Sequence, residues 1–414
     1  MITGEYWPVF GIMGIDADCS ESFAENVEMK AAFWHEEMHY VENFLTLYGI
    51  NRSLEIMRRL IKAIKDAHSG SYSTGLTKDE DFIHTTFQIM AGDNYEIKCH
   101  EIESIELKSN IREFYGEQYN AYIQDEIDTV ELVFHNDKQR YDFGGEAVCE
   151  SVSYLFEKYM CESNDYSHTF PYNACEMIYE YYWKKKCDNT KALLFLGLVS
   201  LMNLFPGVAF VNYMKKLKEN DDFSLNSVRA ISLKHLRFGN KELLDKLEEG
   251  IDTIIPLSFV DMGERYEIHK EKVIYSNRWL KELYKNSIDN QIDFITIVYI
   301  LLENNNKISK EILGYMIVWG IGKPVIYDIN GKVYDENRND MRLFLFAPET
   351  LYHILVEKKK NCRLYPICKN LNYKCNTLCE TDCTKYKHED SLCILRYYLN
   401  LLGLEDLDLD ELCY

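Results

Sequence analysis

The chain has little positive charge for its size, and its first residues do not have the pattern expected of a secretory signal. Its 414 residues include 46 Lys and Arg against 67 Asp and Glu, which gives a net charge of −21. Because clustered Lys and Arg bind phosphates, this balance argues against a nucleic-acid or anionic-membrane surface. The first seven residues, MITGEYW, do not form a basic segment followed by an apolar one. We therefore expect a cytoplasmic protein that binds neither nucleic acid nor membrane.

Long apolar runs and prolines are also scarce. The one long uncharged run spans residues 192–211, and its length would permit a membrane span. No second run accompanies it and it contains Pro206, so we predict a buried helix that is broken near this proline. Only seven prolines are present, without repeats or low-complexity tracts, whereas 47% of the residues are hydrophobic. This composition predicts a sizeable folded core and two or three domains.

Histidines are few, 11 in all, yet two of them form a motif that is typical of metal binding. Residues 35–39 read H-E-E-M-H, which matches H-E-x-x-H. On a helix, His35 and His39 would project side by side and could ligate one Zn²⁺ ion. Glu36 would lie about 100° further round the helix, within reach of a water molecule on the metal. The alternative is that the two histidines are ordinary residues at the border of the core.

The segment around the motif has the periodicity of an amphipathic helix. Ser22 and Glu25 form an S-x-x-E capping box that predicts its start, and Gly49 predicts its end. Glu37 and Glu42 are predicted to face solvent. Apolar residues recur at alternating steps of four and three, at Val27, Ala31, Trp34, Met38, Val41, Leu45 and Tyr48.

A catalytic zinc site needs a third protein ligand, and a second helical segment offers candidates. It follows Gly144 and Gly145, and Glu146, Glu150 and Glu157 share one of its faces. The opposite face is apolar, with Val148, Val152, Leu155 and Tyr159. The acidic face is either solvated or provides a carboxylate to the metal.

The two segments together resemble zincin metallopeptidases of the glutamate-ligand group, the gluzincins. The sequence ESVSYLFE, residues 150–157, is similar to the pattern E-G-x-A-x-x-x-E, which implies Glu150 as the ligand. A second alignment, similar to N-E-A-x-x-D, implies Glu146 as the ligand and Glu150 as a partner of a histidine. More than 100 residues separate His39 from Glu150, so an insertion must lie between the two helices.

The resemblance implies a zinc-dependent peptidase that acts on a peptide or protein substrate. Glu36 would be the general base, and His35, His39 and Glu150 would hold the zinc ion. An additional Tyr, His or Arg would stabilise the oxyanion, but 31 tyrosines leave that choice open. Two alternatives remain: a non-catalytic, metal-stabilised binding or regulatory protein, and a hydrolase of non-peptide amides.

Thirteen cysteines are present, and their density near the C-terminus predicts a second metal site. Because disulfides are disfavoured in the cytosol, a second Zn²⁺ ion or an iron–sulfur cluster is the preferred interpretation. A redox or disulfide framework and unligated thiols are the alternatives. The quartet Cys368, Cys375, Cys379 and Cys383 is the first choice of ligands. Six cysteines crowd into 32 residues: Cys362, Cys368, Cys375, Cys379, Cys383 and Cys393.

The patterns together predict an α+β protein that is predominantly α. We expect a zincin-like domain over residues 1–219, a helical domain over 220–345 and a Cys-rich region over 346–414. Alternating residues between 94 and 143 predict a β element inserted between the two zinc helices. Asn330-Gly331 predicts a tight hairpin within residues 325–334. The sequence gives no indication of oligomeric state.

Overall fold

Helices predominate over three small sheets in the computed structural model, which confirms the α+β, predominantly α class. The structure describes residues 4–19, 26–69, 78–98, 101–113, 124–135, 140–161, 169–257, 267–304, 308–334, 342–371, 377–383 and 393–404.

The elements follow one another along the chain in this order. Up to residue 142 they are β1 (Gly4–Trp7), β2 (Ile12–Ile15), α1 (Val27–Leu45), α2 (Leu47–Ser69), α3 (Lys78–Ala91), β3 (Ile97–Lys98), β4 (Ile102–Glu113), β5 (Gln124–Phe134) and β6 (Arg140–Asp142). The middle of the chain holds α4 (Gly145–Cys161), β7 (Thr169–Phe170), α5 (Ala174–Trp183), α6 (Thr190–Leu201), α7 (Pro206–Glu219), α8 (Leu225–Ser232) and α9 (Lys241–Ile254). The remainder holds α10 (Glu267–Asp289), α11 (Gln291–Glu303), α12 (Ile308–Val318), β8 (Val325–Asp328), β9 (Val333–Tyr334), α13 (Phe346–Leu355), α14 (Tyr365–Asn370), α15 (Thr377–Thr381) and α16 (Ile394–Leu401).

The largest sheet joins strands near the start of the chain to strands within residues 325–334, with strand order β1-β2-β8-β9. Strands β1 and β2 are antiparallel, whereas β2 runs parallel to β8 with Ile12 opposite Val325. Strands β8 and β9 form the predicted hairpin, and Gly331 adopts the positive φ of 71° that a tight turn requires. The pairing of β2 with β8 joins a strand of the predicted zincin-like domain to a strand of the predicted helical domain.

A β element lies between α1 and α4, as the spacing of the two motifs predicts. Strands β4, β5 and β6 form an antiparallel meander, and β3 pairs with β7. Helix α6 is enclosed by α4, α7 and α8, and the chain breaks between its end at Leu201 and Pro206. The prediction of a buried helix broken near this proline is therefore confirmed. Among the described helices, none combines the length and apolarity needed to cross a bilayer.

Helix α1 carries the H-E-x-x-H motif and begins one residue after Asn26. The Asn26 side chain caps the helix by accepting a hydrogen bond from the Met29 amide at 3.0 Å. The predicted capping box, Ser22 and Glu25, lies outside the described residues.

The prediction that Gly49 ends this helix was wrong, because the break comes at Thr46. The backbone of Thr46 is extended. Its Oγ1 atom donates a hydrogen bond to the Glu42 carbonyl at 2.6 Å and accepts one from the Gly49 amide at 3.1 Å. Gly49 lies inside α2, where a Cβ atom would stand 2.4 Å from the Asn43 Cα. The glycine therefore allows the close approach of two consecutive helices rather than a stop.

Candidate metal centre

Three side chains from α1 and α4 converge on one point. The Nε2 atoms of His35 and His39 lie 3.2 Å apart. Oε2 of Glu150 lies 3.3 Å from the first of these atoms and 3.5 Å from the second. Within the described part of the chain, this is the one group of at least three His, Cys, Asp or Glu residues whose ligand atoms all lie within 4.8 Å of one another.

The donor set and its spacing fit a zinc ion. Two imidazole nitrogens and one carboxylate oxygen are the ligands of a common class of catalytic zinc site. Zinc bonds of 2.0–2.1 Å at tetrahedral angles would separate neighbouring ligand atoms by roughly 3.3 Å. The three observed separations, 3.2, 3.3 and 3.5 Å, match this value. The group can therefore hold a metal ion with little movement of the helices.

His39 is oriented by a buried carboxylate on its far side. Its Nδ1 atom lies 2.9 Å from Oε2 of Glu42 and 3.1 Å from Oγ of Ser153, which itself donates to Glu42 at 3.3 Å. In neutral His39, a carboxylate at this position favours the imidazole proton on Nδ1, which would leave the Nε2 lone pair for a metal. Glu42 is only 1% exposed, so the prediction that it faces solvent was wrong.

A carboxylate also lies behind His35, and an aromatic ring lies beside it. Nδ1 of His35 is 3.5 Å from Oε2 of Glu157, which is buried on α4. The ring of Tyr172 lies 6.0 Å from the imidazole of His35. Ser151 helps to fix this tyrosine, because its hydroxyl donates to the Pro171 carbonyl at 2.8 Å. Sequence reasoning left Tyr172 unassigned, and no motif distinguishes it among 31 tyrosines.

Glu146, the alternative zinc ligand, takes part in a different contact. It accepts a hydrogen bond from the Tyr48 hydroxyl at 2.8 Å and pairs with Nη2 of Arg52 at 2.8 Å. This buried group ties α4 to α2. The structure thus brings Glu150, and not Glu146, to the two histidines. Glu146 and Glu157 are both buried, so the acidic face of α4 is not a solvated face.

Glu36 is buried next to the candidate metal-binding group, where strand β1 covers it. A Cβ atom on Gly4 would stand 2.3 Å from Cγ of Glu36, so only a glycine leaves room for this side chain. Glu36 is 7% exposed, and its burial raises the pKa of the carboxyl above the usual value. The two histidines oppose that shift by favouring the carboxylate.

Opposite charges dominate the electrostatics of the metal-free group. Burial by itself would lower the pKa of His35, but the contacts with Glu150 and Glu157 outweigh it and raise the pKa to about 9. The pKa of His39 is raised in the same way by Glu150 and Glu42. Burial would raise the pKa of Glu150, yet the two histidines hold it well below its usual range. In the metal-free protein, the Glu150 carboxylate therefore faces the positive charge of the two histidines. A bound divalent cation would take the place of that charge.

Glu37, the second glutamate of the motif, is also buried, which corrects its predicted exposure. It is 3% exposed, and burial raises the pKa of its carboxyl to about 8. The physical reason is that α1 packs against α2, α4, α10 and β1. A helix covered on several sides buries residues that its apolar stripe alone would leave in water.

The predicted cysteine quartet is only partly described. Cys368 lies on α14 and Cys379 on α15, Cys383 follows α15, and Cys375 lies outside the described residues. The described cysteines form no disulfide. The second metal site thus stays a prediction.

Comparisons of the chain with protein-family models, with curated proteins and with solved structures found no match.

Proposed function

We propose that this protein is a zinc-dependent peptidase in which His35, His39 and Glu150 hold the zinc ion and Glu36 is the general base. One observation carries the proposal: the two Nε2 atoms and Oε2 lie 3.2–3.5 Å apart beside a buried glutamate of the same motif. Two imidazoles and one carboxylate are the ligand set of hydrolytic zinc sites, and the adjacent acid is what hydrolysis requires.

The number of ligands favours a catalytic over a structural metal. A structural zinc site is closed by four protein ligands, whereas a catalytic site keeps one position open for water or substrate. Within the described residues, three ligand atoms form the group. This argues for hydrolysis and against the alternative, a metal-stabilised binding or regulatory protein.

The surrounding residues have separable tasks in this proposal. When bound, the zinc ion would lower the pKa of a water molecule and polarise the carbonyl of the substrate. Glu36 would accept the proton of the attacking water and return it to the leaving amine, a role that its raised pKa suits. Glu42, Ser153 and Glu157 would keep the imidazoles in the orientation that directs Nε2 toward the ion.

Strand β1 favours a peptide as the substrate. Among the described strands, β1 pairs with β2 alone, and Gly4 at its start lies directly against Glu36. An extended peptide can add to an unpaired strand edge through backbone hydrogen bonds. The net charge of −21 also attracts basic peptides over long distances. The predicted substrate is therefore an extended peptide segment, bound beside the metal.

The test of this proposal is the Glu36→Gln variant, assayed for zinc content and for hydrolysis of mixed fluorogenic peptides. Zinc should stay bound, because Glu36 is not a ligand, while hydrolysis should fall at least about 100-fold with the loss of the general base. Glu37→Gln is the matched control. It changes the neighbouring buried acid, whose raised pKa already favours the neutral form, and should keep both zinc and activity.

Either of two results would contradict the proposal. Full activity in Glu36→Gln would rule out the mechanism. Failure of the zinc-loaded wild-type protein to cleave any peptide in the mixture would favour the non-catalytic alternative.

A further inference from the structure

Strand β1 lies between two layers, and only one of them contains the candidate metal centre. Successive residues of a strand point to opposite faces of the sheet, so Gly4 and Tyr6 share one face while Glu5 and Trp7 share the other. On the first face, Gly4 covers Glu36, and the ring of Tyr6 packs against an aromatic ring of the same helix, α1. The second face packs against α13 and the segment that follows it.

One arginine, Arg363, links this second face to its neighbours. Its guanidinium carbon lies 4.5 Å from the centroid of the Trp7 ring, and its Nη1 lies 3.9 Å from Oε2 of Glu5. The same Nη1 donates to Oε1 of Glu349 at 3.3 Å, and Nη2 lies 3.6 Å from Oε2 of Glu357. Arg363 therefore joins two residues of β1 to two carboxylates of α13 and the turn after it.

The partners on the side of α13 hold the arginine in place. The side chain of Arg363 is only 15% exposed. Burial raises the pKa of Glu349 to about 7, and the charge of Arg363 opposes that shift. A hydrogen bond with His353 and the charge of Arg363 lower the pKa of Glu357 to about 2. The guanidinium thus lies between a buried acid and a fully ionised one, which fixes the point to which β1 is attached.

The hydroxyl of Tyr327 completes the attachment. It donates to Oε1 of Glu5, while Arg363 lies beside the other oxygen of the same carboxylate. Tyr327 belongs to β8, so its side chain must cross β2 to reach β1. Gly14 of β2 lies in the path, and a Cβ atom there would stand 2.5 Å from the Tyr327 hydroxyl oxygen. The glycine therefore leaves the space that this contact needs.

The position of β1 matters because the strand confines the proposed general base. It is four residues long, and among the described strands it pairs with β2 alone. Gly4 at its start lies directly against the side chain of Glu36. A shift of the strand would change the space that this carboxylate occupies. A displacement of about 1 Å in a catalytic group can cost about 100-fold in rate.

We propose that Arg363 is a positioning residue for Glu36. It holds β1 against α1, so that Gly4 keeps the general base beside the metal. This inference rests on the proposed peptidase function, and it adds the segment after α13 to the parts of the chain on which that function depends. In this role Arg363 acts through the strand.

The first test compares the zinc-loaded, full-length Arg363→Ala and Arg363→Lys proteins with the wild type. In Arg363→Ala, kcat should fall by about 10- to 100-fold. Zinc content and zinc affinity should be unchanged, because all three proposed ligands remain. Arg363→Lys keeps a positive charge beside Glu349 and should recover part of the lost rate. A merely structural role would lower the thermal stability without changing kcat per zinc-loaded molecule.

Arg229→Ala is the matched control. Arg229 also lies over an aromatic ring, that of Tyr299 at 4.2 Å, but it belongs to α8 and contacts neither β1 nor the metal-binding group. This variant should keep the kcat of the wild type.

A second measurement reads the position of β1 without an assay of activity. Hydrogen–deuterium exchange is followed in a peptide that covers the strand. Exchange should be faster in Arg363→Ala than in the wild type and unchanged in Arg229→Ala. Tyr327→Phe removes one hydroxyl group and keeps the ring against Trp7, so it tests the same attachment even if Arg363→Ala fails to fold. It should also speed the exchange and lower kcat.

The outcomes separate this inference from the proposed function. An unchanged kcat in zinc-loaded Arg363→Ala would overturn the inference while the peptidase remains. A rate loss that accompanies loss of zinc, without recovery in Arg363→Lys, would overturn it as well. If the zinc-loaded wild type cleaves no peptide, the proposed function fails. The exchange data then decide whether Arg363 holds β1, and equal exchange in Arg363→Ala and the wild type would show that it does not.

Discussion

At the scale of single residues, His39 depends on a partner that is not a metal ligand. Glu42 accepts from its Nδ1 at 2.9 Å, and Ser153 joins both groups. Such carboxylates fix the tautomer and the ring orientation of a metal-binding histidine. In the proposed zinc site, the tightness of zinc binding would therefore depend partly on residues that do not touch the ion.

We predict that Glu42→Gln weakens zinc binding by about 10- to 100-fold while the fold is retained. The amide cannot accept the Nδ1 proton as a carboxylate does, and the imidazole loses its preferred orientation. Competition with a chelator of known affinity measures the effect. Glu55→Gln is the matched control, because Glu55 is a buried acid that pairs with His84 at 3.1 Å outside the site. An unchanged zinc affinity in Glu42→Gln would show that this contact does not support the site.

The raised pKa of His35 predicts a pH dependence. Zinc binds neutral imidazole, so below the folded pKa of about 9 binding must release a proton from this side chain. Release of this proton should increase the zinc affinity by up to about tenfold per pH unit at pH values well below 9, and the raised pKa of His39 should steepen this dependence. Titration calorimetry at several pH values, corrected for buffer ionisation, measures both the affinity and the released protons.

The metal-free protein should show the opposite trend in stability. The folded pKa of His35 lies above its unfolded value of about 6.5, so the stabilisation is complete below pH 6.5 and is lost as the pH rises through 9. Thermal unfolding of the chelator-treated protein should thus occur at a lower temperature at pH 9 than at pH 6.5. Zinc affinity and apo stability that are both flat across this range would contradict the assigned charges.

At the scale of secondary-structure elements, the junction of α1 and α2 determines how the motif helix is held. Gly49 approaches the backbone of Asn43, with the position of a Cβ atom only 2.4 Å from its Cα. Backbone cannot move away as a flexible side chain can. The glycine is thus required by packing, although it lies within a helix.

We predict that Gly49→Ala lowers the free energy of unfolding by about 1–3 kcal/mol, the usual cost of overpacking. Gly314→Ala is the control, because Gly314 also lies in a helix but its Cβ position has no neighbour within 4 Å. That substitution should be neutral or stabilising by up to about 1 kcal/mol, since alanine favours helices. Chemical denaturation measures both. A stable Gly49→Ala protein would mean that the two helices can separate without cost.

Periodicity predicted the elements that carry the site, but not what covers them. The motif helix, the helix with Glu150 and the Asn330-Gly331 hairpin follow from local patterns, and all are present. The burial of Glu37 and Glu42 could not be predicted, because a hydrophobic stripe reports one face of a helix only. The other faces of α1 pack against α2, α4, α10 and β1, and the local sequence contains no information about that packing.

At the scale of the whole molecule, strand β1 beside the proposed active site packs against residues that lie more than 300 positions later in the chain. Strand β1 contacts Glu36, and its Trp7 ring lies 5.5 Å from the ring of Tyr327 and 5.6 Å from that of Phe346. The guanidinium of Arg363 lies 4.5 Å above the same tryptophan. Contacts between residues more than 300 positions apart leave no mark on a single sequence, so neither this closure nor Tyr172 beside His35 was predictable.

The zinc content of the purified protein, measured by elemental mass spectrometry, tests the central claim most directly. The wild-type chain should contain about one more zinc ion than the His35→Ala/His39→Ala variant, because that variant removes two of three ligands. The difference counts only the histidine–glutamate site, since any metal on the cysteines is common to both proteins. Equal zinc contents would contradict the account, since the group formed by His35, His39 and Glu150 would then not be a zinc site.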